Sequence, residues 1–448
     1  MFKKMFFAAS CGIAAAAIAA DTPAGATEFS TRHGKFTIVG KTSAAGARAE
    51  VGDTVKIAVT VKSKQPGFFR STLFVNGNRQ GNEKIVPFGE FSEYSVKTEA
   101  PGEVAAHVLI LDADKQPVIN SLKRRIDGGL GVFVSPDKLA PGNPTPPADL
   151  DEFWKSKRAE LDKVPIREER KEIPMRGNHP ELVGYDIKVT CAGDAPVSGC
   201  LCLPRNAKPK SLPAVVRFHG AGVRSAYLQP DYGAAAISLD VNAHGIENGR
   251  NKKFYAELAN TTLKDYRLRN WKDHQTNYYT GMFVRVMRAL DYVKSLPEWD
   301  GKTLIVTGGS QGGAQALAAA ALDPQVTLCR AAVPALCDIG ARAAGRLPTG
   351  PIRSLSVEEQ ADPVLIRESG YLDLVFLGKN IKCPVYLSCG LVDNICQAMG
   401  IMVFYNSLPA AHPKVIDVNP MGTHGGSRAV RGDRAILEAL GIAAPDKK

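Results

Sequence analysis

The sequence predicts an α/β protein: a mostly parallel sheet covered by helices, preceded by a small all-β sandwich domain. Three observations predict it. Before residue 135, short runs alternate apolar and polar residues and are separated by turn signals, as half-buried strands do. After residue 148, strand-like and helix-like segments take turns along the chain, the pattern of a parallel sheet with covering helices. At 308–313 a glycine cluster surrounds one serine, Gly308-Gly309-Ser310-Gln311-Gly312-Gly313, where an apolar run meets an alanine-rich segment.

The first element, residues 1–26, reads as a secretory signal peptide. Lys3 and Lys4 precede an apolar, alanine-rich run over 5–20, and the small residues Ala24-Gly25-Ala26 follow; this is the charge, core and exit of an export signal. The run is short for a bilayer and alanine is weakly hydrophobic, so export with cleavage is expected rather than a membrane anchor. The mature protein is therefore expected to be periplasmic or secreted, with no membrane span. Cys11 lies inside the run, but Ala8-Ala9-Ser10 before it makes a poor lipobox.

The whole chain has 448 residues, of which 44% are hydrophobic and 23% charged. That composition excludes a disordered protein. Lys and Arg exceed Asp and Glu by 11, but the excess is scattered, so no nucleic-acid partner is expected. Of nine cysteines, one is Cys11 and none falls between residues 12 and 190. No CxxC pair or Cys/His cluster has zinc spacing, so no metal and no organic cofactor are expected.

Residues 27–135 form the second element. Residues 54–62 (TVKIAVTVK) alternate, and Leu73-Phe74-Val75 runs into Asn76-Gly77, a hairpin pair. Tyr94-Ser95-Val96 and Val108-Leu109-Ile110-Leu111 add strands. This spacing predicts an immunoglobulin-like sandwich. No catalytic side chains cluster in it, and structural support is its expected role. Residues 136–147 hold five prolines and read as a linker laid onto the next domain.

Residues 148–448 carry strand candidates at 214–218, 234–239, 304–306, 384–388 and 415–418. Tyr279, Phe283, Val286, Leu290, Val293 and Leu296 recur at helical spacing, and Pro297 closes that segment. Ligands of such sheets bind at the carboxyl edge of the strands.

Gly308-X-Ser310-X-Gly312 fits a nucleophile elbow, which places Ser310 on a sharp strand-to-helix turn and points to the α/β-hydrolase fold. Glycine is needed two positions either side because a Cβ there would meet backbone. A phosphate loop is disfavoured, since no Gly-Lys-Ser/Thr follows. A serine needs a base oriented by a carboxylate, in the chain order serine, acid, histidine. Two histidines follow. His412 precedes the last strand, whereas His424 follows it, where a base belongs. Asp393 follows the preceding strand and is the expected acid; Asp417 competes but lies inside a strand. The oxyanion donors are expected to be the backbone N–H groups of Gln311 and Ala221, the latter in His219-Gly220-Ala221-Gly222. His219 is expected to support its loop rather than to react.

At these residues the chain resembles the acetyl xylan esterases and cephalosporin C deacetylases of carbohydrate esterase family 7. The resemblance rests on Gly390-Leu391-Val392-Asp393-Asn394-Ile395-Cys396, the 308–313 segment, Phe404-Tyr405-Asn406, His424-Gly425-Gly426, Leu212-Pro213-Ala214-Val215-Val216 and Asp151-Glu152-Phe153-Trp154, and spans roughly residues 148–440. It implies the triad Ser310, Asp393 and His424, and a homo-oligomeric assembly. Three features depart from the family. Asp240-Val241-Asn242-Ala243-His244-Gly245 stands where the family carries Arg-Gly-Gln-Gly, Ala221 replaces an aromatic residue, and Gly425 replaces an acidic one. The front β domain is extra.

The expected function is that of an exported serine esterase removing O-acetyl groups from saccharides such as acetylated xylan. The alternatives are another hydrolase on the same triad, a glucuronoyl methylesterase or a peptidase, or a non-catalytic glycan-binding protein using the β domain.

Overall fold

A computed structural model describes residues 27–175 and 177–443; the leader expected at 1–26 lies outside them. The described residues fall into two compact units. The first contains the chain up to Lys138 together with two later segments, Gly390–Asn394 and Val418–Gly426. The second contains Leu139–Cys389, Ile395–Asp417 and the chain from Ser427 onward.

The first unit has nine strands: β1 (Thr27–His33), β2 (Phe36–Thr42), β3 (Arg48–Ala49), β4 (Thr54–Lys62), β5 (Phe68–Val75), β6 (Asn78–Pro87), β7 (Ser92–Lys97), β8 (Gly102–Leu111) and β9 (Asp127–Val134). They make two sheets, of order β1-β2-β4-β7 and β3-β9-β8-β5-β6. All pairings are antiparallel except β3 with β9. The alternation read in residues 54–62 is a core face: Val55, Ile57, Val59 and Val61 are each at most 1% exposed. They pack with Val104, Ala106, Val108 and Ile110 of β8 and Leu130, Val132 and Val134 of β9. Burying each such side chain contributes roughly 1.5–3 kcal/mol. Asn76 and Gly77 join β5 to β6 with both residues at positive φ, 53° and 74°, which Asn-Gly tolerates at little steric cost.

The second unit is built on nine further strands: β10 (Glu168–Glu172), β11 (Leu182–Val189), β12 (Val197–Pro204), β13 (Leu212–Phe218), β14 (Ile237–Asn242), β15 (Trp299–Gly309), β16 (Leu328–Ala332), β17 (Val385–Gly390) and β18 (Lys414–Asn419). Their order is β10-β11-β12-β14-β13-β15-β16-β17-β18. The β10–β11, β11–β12 and β12–β14 pairs are antiparallel. From β14 through β13, β15 and β16 to β17 every pair is parallel. The expectations at 214–218, 304–306 and 415–418 lie within β13, β15 and β18, and that at 384–388 begins one residue before β17. The expectation at 234–239 began too early: Ala234 and Ala235 donate their N–H groups to Pro230 and Tyr232 and finish a helical turn, so β14 begins at Ile237.

The helix Tyr278–Ser295 buries thirteen of its residues, and Asn277 caps it by accepting from the Tyr279 N–H. The helix Gln311–Leu322 buries every residue from 311 to 321; its alanines let it lie close to the sheet. The proline-rich segment is bonded along the second unit: Leu139 O accepts from Asn406 Nδ2 at 3.0 Å and Ala140 O from Arg346 Nη2 at 2.7 Å. Trp154 donates its indole N–H to Tyr371 O at 2.9 Å.

Candidate active site

Ser310 sits in the turn between β15 and the helix Gln311–Leu322, at φ 58° and ψ −124°. A non-glycine residue is strained there, and the surroundings hold it. Its N–H donates to Ala332 O at 2.9 Å, and its own carbonyl accepts from Ala314 and Ala335 N–H at 3.0 and 3.1 Å. The glycines of the motif have steric causes. A Cβ on Gly308 would lie 2.2 Å from Gly312 O, and one on Gly312 would lie 2.1 Å from Phe218 O. Only hydrogen fits at either position. Cys396 Sγ is 4.0 Å from Ser310 Oγ.

Ala221 and Gln311 flank this turn because β13 and β15 are parallel neighbours, with Phe218 in register with Gly308. Their following loops therefore leave the sheet side by side. A Cβ on Gly220 would lie 3.3 Å from Gly309 O and 3.7 Å from Ser310 Cβ. Gln311 opens a helix, where the first backbone N–H groups have no intrahelical acceptor. Its side chain is buried, and its Oε1 accepts from the Tyr266 hydroxyl at 2.9 Å. The same hydroxyl accepts from Gly222 N–H at 3.2 Å, so Tyr266 ties the loop after β13 to the residue after Ser310.

Histidines support this loop as neutral side chains. Burial lowers His219 to about 4 and His244 to about 3. His219 Nδ1 donates to Gly220 O at 2.7 Å, leaving Nε2 to accept from Ala243 N–H at 3.3 Å. His244 Nδ1 lies 2.7 Å from the Tyr278 hydroxyl, and its Nε2 lies 3.2 Å from Gly222 O. Asn242 donates to Arg224 O and to Asn248 Oδ1, both at 3.0 Å. Asn248 Oδ1 also accepts from Ala226 N–H at 2.9 Å, and its amide donates to Asp186 at 2.9 Å. These residues brace the loop that the sequence left without the family's arginine and glutamine. Their contacts span up to 62 positions along the chain; the one local signal was a run of polar side chains just beyond a fully buried strand.

Asp393 and His424 are brought together in the first unit. His424 Nδ1 is 2.8 Å from Asp393 Oδ2; the histidine side chain is 24% exposed and the carboxylate 0%. Asp393 stands just beyond β17, where its N–H donates to Gly390 O at 3.1 Å. His424 lies in the segment after β18, joined to the acid's segment by Leu391 N–H to Asn419 O at 3.0 Å and Val392 N–H to Gly422 O at 3.1 Å. Ser310, Gln311 and Ala221 belong to the second unit. The competitors are engaged elsewhere. Asp417, inside β18, accepts from Arg431 Nε at 2.6 Å; His412 sits in the turn before that strand. A Cβ on Gly425 would meet nothing within 4 Å.

Among the described residues one group has metal-ligand spacing: Asp273, His274 and Glu368, with donor atoms within 4.8 Å of one another. Those donors serve one another and the local backbone. His274 Nδ1 is 2.6 Å from Glu368, and Asp273 accepts from Thr276 and Gln275. The eight described cysteines are free thiols, and no described helix is long and apolar enough to cross a membrane.

A sequence profile for the family described as acetyl xylan esterase (AXE1) matches residues 138–437. Acetyl esterase Axe7A of Xylanibacter ruminicola is 30% identical over 336 residues, spanning 71% of this chain and 73% of that protein. Among solved structures, an acetyl xylan esterase from Paenibacillus sp. R4 superposes with a TM-score of 0.57 at 23% identity, covering 68% of this chain and 98% of its own. Acetyl xylan esterase 1 from Thermoanaerobacterium sp. JW/SL YS485 gives 0.56 at 23% identity, covering 69% and 98%. The two structures share the fold over those parts of this chain.

Proposed function

The chain belongs to the acetyl xylan esterase family and is an esterase, a serine hydrolase of the α/β-hydrolase type; from that premise we propose that it removes O-acetyl groups from saccharides such as acetylated xylan through Ser310, His424 and Asp393. The observation that carries the reading is Ser310 held at φ 58° by glycines that cannot be replaced. The bonded Asp393–His424 pair supports it.

In this mechanism the Ser310 hydroxyl oxygen bonds to the acetyl carbonyl carbon while His424 Nε2 takes the hydroxyl proton. Asp393, accepting from Nδ1–H, sets the imidazole tautomer and stabilises the imidazolium. The N–H groups of Gln311 and Ala221 hold the oxyanion. The carbon–oxygen bond to the sugar then breaks, and the sugar oxygen leaves with the proton from His424. Water, deprotonated by His424, attacks the acetyl-serine carbonyl; the Ser310 oxygen–carbon bond then breaks as His424 returns the proton to the Ser310 oxygen, and acetate departs.

The leader composition supports export, and the four- and five-stranded sheets of the first unit support an immunoglobulin-like reading of the front domain. The test is a substrate panel. Free acetate from acetylated xylan and acetylated sugars is expected; turnover only of methyl glucuronate esters or peptides would overturn the reading.

A further inference from the structure

The outer face of the β8–β9 pair in the first unit is buried at its Glu103–Ala105 end although it lies opposite the core. Its core-facing residues are Val104, Ala106 and Val108. The alternate residues of the strand point the other way, yet Glu103 is 5% exposed and Ala105 0%, with His107 half-buried. The segment carrying Asp393 covers that face. A Cβ on Gly131, which pairs with Ala105, would lie 2.4 Å from Leu391 Cβ and 2.5 Å from Leu391 O. Gly131 N–H donates to Pro420 O, in the His424 segment, at 2.8 Å. Met421 is buried in the sandwich core. Both the acid and the base are therefore carried on segments that rest on the β domain's own sheet.

Glu103 is the buried acid of that face. Its backbone is clamped on both sides by the hairpin residue Asn76: Glu103 N–H donates to Asn76 Oδ1 at 2.9 Å, and Asn76 N–H donates to Glu103 O at 2.9 Å. Its Oε2 has no hydrogen-bond partner among the described residues. An ionised carboxylate so placed is costly without a cation or donors. Burial raises its carboxyl well above the usual range, and the Asp393 charge adds to that shift. His107, farther along the strand, also feels the Asp393 charge. Glu103 shares its strand face with Ala105, whose partner Gly131 lies against Leu391, two residues before Asp393; the titratable groups around Asp393 in this unit are His424, bonded to it, and Glu103 and His107, which feel its charge.

We propose that Glu103, supplied by the β domain, is a positioning residue for the Asp393–His424 pair: an uncharged, buried side chain that keeps water and competing charge away from the Asp393 carboxylate. The front domain then completes the acid–base pair rather than serving only as a spacer or glycan module. This rests on the catalytic reading of Asp393 and His424 given above.

The test uses the full chain and p-nitrophenyl acetate, with kcat, KM and the pH profile of kcat/KM measured for Glu103→Ala, Glu103→Gln and Glu103→Asp, and His424→Ala run in parallel. Glu103→Ala is expected to lower kcat about tenfold with KM within about twofold, and to displace the acidic limb of the profile by about half a unit or more. Glu103→Gln, neutral and of the same shape, is expected to recover kcat to within about threefold of the parent and to restore the limb. If Glu103→Ala does not fold, Glu103→Asp replaces it, because the shorter side chain opens the same gap. A wild-type kcat and unmoved limb in Glu103→Ala, or in Glu103→Asp in its place, overturns the proposal. So does a Glu103→Gln enzyme as impaired as Glu103→Ala, which would mean that the carboxylate acts ionised. An active His424→Ala would instead overturn the catalytic reading itself.

Discussion

His424 Nδ1 lies 2.8 Å from Asp393 Oδ2, a carboxylate with no exposed surface. A buried acceptor at that distance leaves one useful tautomer: the proton on Nδ1 and a lone pair on Nε2.

Asp393→Asn reverses that preference, because the amide can donate to Nδ1 and so drive the proton to Nε2. The expected result is a fall in kcat of about 10³–10⁴-fold with KM within a few-fold, read by steady-state acetate release. Unchanged kcat would remove Asp393 from the reaction.

Gly312→Ala sets a Cβ 2.1 Å from Phe218 O and 2.7 Å from Phe218 C. Those are backbone atoms of a central strand and cannot step aside. Overpacking of this kind costs about 1–3 kcal/mol or more, so the thermal midpoint should fall by several degrees or the protein should fail to fold. At Gly309 the nearest atom to a Cβ is 3.7 Å away, and Gly309→Ala should melt within about 2 °C of the parent.

Tyr266→Phe removes the hydroxyl that receives Gly222 N–H and donates to Gln311 Oε1. The loop bearing Ala221 loses its tie to the residue after Ser310. Two hydrogen bonds of about 1 kcal/mol each, felt mainly when the oxyanion forms, predict a kcat lower by about 5–30-fold. A KM change alone would place Tyr266 in substrate binding instead.

Acid lability should follow from the two neutral loop histidines. Both pKa values fall below the ordinary 6.5, to about 4 for His219 and about 3 for His244. Below pH 6.5 the unfolded chain takes up these protons while the folded protein does not, so stability is lost as the pH falls from 6.5 towards 4 and 3. Each histidine contributes about 1.4 kcal/mol per pH unit in its window. Denaturant midpoints between pH 7 and pH 5 should show the decline, and His244→Gln should flatten it. An equal slope in that variant would contradict the assignment.

Ser310 was legible because its demand is local: two glycines, a strand and a helix within six residues impose one turn. His424 and Asp393 were legible from chain order and from their places just beyond strands. Tyr266, His244 and Asn248 were not, because each acts through polar contacts that reach residues 22 to 62 positions away, and no periodicity marks a lone side chain in a loop. That the segments carrying Asp393 and His424 fall in the first unit was hidden for a related reason. Residues 27–135 contain no cluster of reactive groups, and the grouping of Gly390–Asn394 and Val418–Gly426 with them is a non-local packing result. One signal was present in Gly128-Gly129-Leu130-Gly131, since glycines inside a strand mark close backbone approach.

The most direct test is free acetate released from acetylated xylan by the parent enzyme and by Ser310→Ala at matched concentration. The parent should release acetate steadily, and the variant should be slower by about 10⁴-fold or more while melting at the same temperature. A folded Ser310→Ala protein that deacetylates at the parental rate would contradict the central claim.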